Sequence, residues 1–228
     1  MTEREALPPR LRLPGVSAYA CDYTQAGNEF TDIFLPPHLA SASPKRKSEF
    51  RAGRYCAMRA LEAIGALPAV PPIGPNRAPV WPDDVVGSIS HSAGYAIAVA
   101  ARRLSYLGLG IDVEGIVPAE EVAGLLSHVA SEAEMKLLSA GFSPATSFTL
   151  LFSGKEAIYK AIYPLVRRFV GFHEMSFVKL DQGKLLFRPV GAISQSLCGL
   201  DSISVSFDRQ TDRILSMCSI PFDPRCQM

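Results

Sequence analysis

Apolar positions along this chain follow two rhythms. From Ser43-Pro44 to Gly65, Phe50, Ala57, Met58, Leu61 and Ile64 recur at helical spacing between a cap-like start and a glycine stop, which predicts a long helix. Val85 to Ser90 and Tyr95 to Ala101 are rich in β-branched and small apolar residues around His91-Ser92-Ala93-Gly94, and predict a hairpin. Leu107 to Glu114 predicts a further strand, running through Gly108 and Gly110 into acidic residues. One or two amphipathic helices are expected between Pro118 and Gly141. Ser143-Pro144 then opens a strong helix to about Tyr163, before Pro164, with Leu150, Leu151, Ala157, Ile158, Ala161 and Ile162 as its buried stripe. Met175 to Leu180 with Lys184 to Arg188, and Ser202 to Phe207 with Arg213 to Ile220, flank turns and predict two C-terminal hairpins.

A long helix followed by antiparallel strands thus occurs twice. The expected class is α+β, with two pseudo-symmetric halves, each a long helix packed on a small antiparallel sheet, divided as residues 1–107 and 108–228. No residue-level repeat accompanies this organisation.

Composition supports a folded chain and narrows its partners. The 228 residues are 48% hydrophobic and 20% charged, which is ordinary for a globular protein. Lysine and arginine number 23 against 22 acidic residues, so no global field attracts nucleic acid and any anion site must be local. The five cysteines, Cys21, Cys56, Cys198, Cys218 and Cys226, form no C-x-x-C pair and are expected as free thiols of a reducing cytoplasm. Glu3, Arg4 and Glu5 precede a proline-rich stretch without the features of a signal peptide, and no apolar run approaches the roughly 20 residues of a membrane span. A soluble cytoplasmic protein is expected.

Candidate chemistry is concentrated in four places. Asp112 and Glu114 are two apart on a predicted strand, so both point to one face, where paired like charges favour a cation. The plainer alternative is a solvated strand end, against which the small, apolar run Gly108-Leu109-Gly110-Ile111 argues. Glu156 and Lys160 are four apart on one helix face, either a surface ion pair or part of a site with Tyr159 and Tyr163 nearby. Lys45, Arg46, Lys47, Arg51, Arg54 and Arg59 make the first helix basic, as a phosphate groove or as the solvated side of an amphipathic helix. In Gly87-Ser88-Ile89-Ser90-His91-Ser92, hydroxyls on a strand face and an imidazole beyond them suit a phosphate, or simply an edge strand and its turn. There is no G-x-x-x-x-G-K-[ST], G-x-S-x-G or H-E-x-x-H, and Val113 stands where a dinucleotide fingerprint beginning at Gly108 needs glycine.

Taken in order, PKRKSEFRAGRYCAMRAL, RAPVWPDDVVGSISHSAGYAIAVAA, GIDVEGI and FSGKEAIYKA, spanning about Pro44 to Ala161, resemble the 4'-phosphopantetheinyl transferases of the Sfp type, especially the enterobactin-synthetase-activating branch. RRFVGFHEMSF is a fainter echo. The resemblance implies an enzyme that moves the phosphopantetheine arm of coenzyme A to a serine hydroxyl of an apo acyl or peptidyl carrier protein, leaving adenosine 3',5'-bisphosphate. It implies Mg²⁺ on Asp112, Glu114 and Glu156, with Glu156 and Lys160 catalytic. It further implies coenzyme A contacts from Arg46, Arg54, Arg77, Ser90, His91, Lys155 and Lys160, with Ser90 and His91 near the 3'-phosphate. Residues 1–107 would then carry the coenzyme A helix and hairpin, and residues 108–228 the metal-binding strand and helix.

Carrier domains of polyketide or nonribosomal peptide synthetases are the implied partners, in secondary-metabolite or siderophore biosynthesis, and two halves in one chain make a monomer the expected state. Phe152 and Gly154 depart from the bulkier or tryptophan residues common in relatives, which bears on pocket shape. A magnesium-dependent pyrophosphohydrolase acting on coenzyme A-like substrates is the rival enzyme. A non-catalytic coenzyme A or carrier-protein binding module is the rival outside catalysis.

Overall fold

The computed structural model describes residues 7–24, 30, 32–197 and 199–222. Chain order begins with β1 (Ser17–Asp22), α1 (Pro44–Ala63), β2 (Val85–Ser92), β3 (Tyr95–Arg102) and β4 (Tyr106–Gly115). It continues with α2 (Ala119–Val129), α3 (Glu132–Leu138), α4 (Pro144–Val166), β5 (Met175–Asp181), β6 (Lys184–Pro189), α5 (Ala192–Ser196), β7 (Ile203–Arg209) and β8 (Arg213–Pro221). The α+β class holds: one antiparallel sheet has the order β1-β3-β2, the other β4-β8-β7-β6-β5.

The predicted C-terminal hairpins form, but not as separate units. β6 also pairs with β7, and β8 continues onto β4, so both hairpins merge into one five-stranded sheet. β1, which no alternation announces, is an edge strand whose residues are mostly half-buried. Pro164 does not stop α4. The helix runs on to Val166, where Arg167 at φ 50° closes it in the left-handed region. Pro164 forfeits its own N–H hydrogen bond and crowds the carbonyl of Lys160, but only two helical residues follow it, so little of the helix depends on that turn.

Small residues let each long helix sit close to its sheet. Ala52, Cys56 and Ala57 of α1 meet Ala96 and Ala98 of β3. A Cβ on Gly108 or Gly110 would overlap the carbonyl oxygens of Ala161 and Ala157, so β4 accepts α4 only because these positions lack one. Gly154 is less tightly held, its would-be Cβ lying 3.1–3.3 Å from side-chain atoms of Phe187 and Leu185, so it too packs helix against sheet. The other faces of the two sheets share a cluster in which Ile97 and Val99 join Leu109, Ile111, Val113, Leu215 and Met217.

β4 pairs with β8 along one edge, and its other edge faces β2 without a backbone ladder. Serine hydroxyls bridge that seam. Ser90 Oγ accepts from the Val113 N–H at 3.2 Å and Ser92 Oγ from the Gly115 N–H at 3.4 Å. Both pairings advance together along the chain, so β2 and β4 run in the same direction. Among the described residues no helix is long and apolar enough to cross a membrane. Cys21, Cys56 and Cys218 are buried free thiols, while Cys198 and Cys226 lie outside the described residues, as do Glu3, Arg4 and Glu5.

Candidate active site

The seam between β2 and β4 carries a buried charged group. Asp112 is 1% exposed, and its Oδ1 lies 2.6 Å from Lys160 Nζ on α4. Ser90 Oγ donates to the same Oδ1 at 3.0 Å and accepts from Lys160 Nζ, also at 3.0 Å. One residue pair along, Ser92 Oγ donates to Glu114 Oε2 at 3.2 Å. Burial, helped by Asp112 and Glu156, pushes the Glu114 carboxyl up to about 7 against the opposing Ser92 hydrogen bond and Lys160.

Glu156, on α4, joins this field without joining its hydrogen bonds. Burial raises its pKa, Lys160 works against the rise and Asp112 adds to it. It also lines a cavity of about 60 Å³ with Lys155, Tyr159, Phe169 and Phe172. Among the described residues no three His, Cys, Asp or Glu side chains enclose a metal position. The donor set nevertheless fits a hard divalent cation in kind. Asp112 Oδ2 is buried with no hydrogen-bond partner, and the Asp112 charge adds to the raised pKa of both Glu114 and Glu156.

On the other side of β2 lies a cavity of about 390 Å³ lined by Arg46, Glu49, Arg54, Arg77, His91 and apolar residues including Phe50 and Ile89. Arg54 is 6% exposed and its buried Nε has no partner. Burial and the nearby Arg46 bring its pKa down to about 10. A second cavity of about 230 Å³ shares Arg77, Pro79 and Ile89 and reaches Lys160, with Trp81, Tyr159 and Tyr163 in its walls. Asn76 Nδ2 donates to Tyr163 Oη at 3.0 Å, tying the arginine-bearing loop to α4.

The structure therefore brings Arg46, Arg54, Arg77 and His91 to one cavity, and Ser90, Asp112, Glu114 and Lys160 to one buried group. Two expected coenzyme A contacts are placed differently. Ser90 has one proton, and it points at Asp112, so the hydroxyl orients the carboxylate and ammonium instead of facing the arginines. Lys155 is buried against α3, with Nζ 2.8 Å from Glu134 Oε1 and 2.9 Å from the Val129 carbonyl, and its charge is committed there.

Two contributors escaped the sequence reading. Ser92 repeats toward Glu114 the spacing of Ser90 to Asp112, and the S-x-S pattern opposite D-x-E was the available signal. Glu49, one helical turn from Arg46, carries no sequence signal that sets it apart from an exposed helix acid.

The sequence is similar to those of known proteins. Residues 35–101 match the family model described as 4'-phosphopantetheinyl transferase N-terminal domain, and residues 108–218 match that of the 4'-phosphopantetheinyl transferase superfamily. The chain is 37% identical over 170 residues to the 4'-phosphopantetheinyl transferase Svp of Streptomyces mobaraensis, covering 71% of this chain and 68% of Svp. It is 42% identical over 132 residues to enterobactin synthase component D of Salmonella typhi, covering 57% of this chain and 54% of the relative. With the 4'-phosphopantetheinyl transferase PptT of Mycobacterium tuberculosis it shares 38% identity over 141 residues, 60% of either chain. The chain thus spans little more than half the length of several relatives it matches.

Proposed function

We propose that this chain, which belongs to the 4'-phosphopantetheinyl transferase superfamily, transfers the 4'-phosphopantetheine arm of coenzyme A to a serine hydroxyl of an apo carrier protein. One observation carries the reading. Consecutive residues of β2 serve two different sites: His91 lines the arginine cavity, while Ser90 belongs to the Asp112–Lys160 group across the strand. A ligand with a phosphate monoester at one end and a diphosphate at the other meets both.

In the proposed reaction the carrier serine oxygen bonds to the phosphorus that bears the pantetheine arm. The bond from that phosphorus to the bridging oxygen breaks, and adenosine 3',5'-bisphosphate leaves. Arg46, Arg54, Arg77 and His91 hold the nucleotide phosphate and fix its distance from the seam. Lys160, oriented by Asp112 and Ser90, offsets charge on the leaving phosphate oxygen. Glu156, beside Lys160 on α4, takes the serine proton. Asp112, Glu114 and Glu156 are the residues that would hold Mg²⁺, which would supply positive charge to the diphosphate oxygens. Mg²⁺ ordinarily takes a few carboxylates together with substrate phosphate and water.

Relatives named enterobactin synthase component D make a carrier domain of a siderophore or other secondary-metabolite synthetase the acceptor we favour. A monomer suffices for the reaction, because one chain supplies Ser90, Asp112 and Lys160. The buried free thiols Cys21, Cys56 and Cys218 agree with a reducing cytoplasm.

The test is to incubate the protein with coenzyme A, Mg²⁺ and an apo carrier, then weigh the carrier by mass spectrometry. A gain of one phosphopantetheine arm is the expected result. Consumption of coenzyme A with no carrier gaining mass would identify a hydrolase instead, and coenzyme A binding without turnover a binding module.

A further inference from the structure

An acid stands inside the arginine cavity. Arg46 Nη1 lies 3.1 Å from His91 Nε2 and 3.3 Å from Glu49 Oε2, and His91 Nδ1 is 3.9 Å from that same Glu49 oxygen. A guanidinium has donors only, so its contact with Nε2 requires the ring lone pair there. The imidazole is then neutral, with its proton on Nδ1 facing Glu49.

The surrounding charges explain that state. Burial lowers the His91 pKa, Glu49 opposes the fall, Arg46 and Lys160 reinforce it, and Asp112 opposes it. These groups reach the ring from α1, α4 and β4. A carboxylate among Arg46, Arg54 and Arg77 repels an incoming phosphate, unless it stabilises a cation that the phosphate needs.

We propose that Glu49 is a positioning residue that anchors His91 through Nδ1, so that Nε2 gains a proton when a phosphate monoester enters the cavity. In this way it sets a preference for coenzyme A over 3'-dephospho-coenzyme A. The inference rests on the coenzyme A reading above. Phosphate oxygens draw the Arg46 guanidinium away from Nε2, and Nε2 takes one proton from solvent. The imidazolium then donates to phosphate through Nε2–H and to Glu49 through Nδ1–H. No covalent bond forms or breaks beyond that protonation.

Calorimetry tests this at pH 8 in a chelator-containing buffer without Mg²⁺, titrating coenzyme A and 3'-dephospho-coenzyme A into wild type, E49Q and E49D. At that pH a phosphate monoester is already dianionic, so proton uptake reports on the protein. Wild type is expected to prefer coenzyme A and to take up a proton, seen as a binding enthalpy that depends on the buffer's ionisation enthalpy. E49Q should bind coenzyme A about tenfold more weakly, the equivalent of one pKa unit, with no proton uptake and an unchanged affinity for the dephospho form. E49D should restore part of both effects, and unchanged thermal unfolding of E49Q excludes a folding defect. Equal or tighter coenzyme A binding by E49Q, persistent proton uptake, or a wild type indifferent to the 3'-phosphate would each overturn the proposal. Carrier modification is measured separately, so either result leaves the transferase reading to its own test.

Discussion

Ser90 and Asp112 share a hydrogen bond of 3.0 Å across the seam between the two sheets, and the serine hydroxyl has no capacity left over. It donates to Asp112 Oδ1 and accepts from Lys160 Nζ and the Val113 N–H. S90A should leave that buried N–H without a partner and release Lys160 from one of its two anchors beside Asp112. The expected cost is about 1–3 kcal/mol of stability, read by urea denaturation. Turnover should fall more than coenzyme A affinity does. Lost affinity with normal turnover would return Ser90 to the role of a phosphate contact.

E156Q removes the proposed proton acceptor together with one of the three proposed Mg²⁺ carboxylates, and leaves the arginine cavity intact. The amide keeps the shape of Glu156 but cannot take the serine proton, so carrier modification should drop by about 100-fold or more. Coenzyme A binding should be little changed, since the arginine cavity lies on the far side of β2. Mass spectrometry of the carrier and calorimetry with coenzyme A check the two halves. Near-normal turnover would remove Glu156 from the mechanism.

The sequence made the elements legible because their patterns are local. Periodicity located α1, α4 and most strands, and the period of two put Asp112 and Glu114 on one face of β4. What it could not show is which strand faces the free edge of β4. That approach uses no ladder and no tight turn, so nothing near Ser90 in the chain announces Val113 or Lys160. Lys155 lies one residue before Glu156 and Lys160 four residues after it. Five helical steps turn them about 140° apart, which sends one to α3 and the other to β2. β1 went unread because Ser17–Asp22 lacks alternation, its burial being supplied by α1 and β3.

G110A should damage both fold and site. The new Cβ meets the Ala157 carbonyl, and α4 can make room only by lifting away from β4, carrying Lys160 from Asp112. A loss of about 1–3 kcal/mol is expected from such overpacking, with turnover reduced even where the protein remains folded. Gly124 in α2 is the contrast, because nothing lies within 4 Å of its would-be Cβ. G124A should gain about 0.5–1 kcal/mol from helix propensity alone. Thermal unfolding of the two variants, side by side, decides whether close approach is what the glycine in β4 serves.

Lys155 and Glu134 form an ion pair with side chains 1% and 7% exposed, and acid should reveal which of them suffers when it is broken. Burial pushes the Glu134 carboxyl up, but Lys155 and the N–H groups of Phe177 and Ser131 hold it below its usual 4.5. The unfolded chain therefore binds more protons in the window just below 4.5. The stability that Glu134 contributes is present above that value and lost as pH falls through the depressed pKa. K155M leaves the carboxylate buried without its cation, at a cost of about 3–5 kcal/mol near pH 7. Burial then raises the Glu134 pKa above that of the unfolded chain, so protonation relieves the variant as the solution is acidified. Urea denaturation at pH 7 and pH 4 should show the K155M deficit shrinking at the lower pH. An equal deficit at both would deny the charge coupling, and weakened coenzyme A binding with no loss of stability would make Lys155 a ligand contact after all.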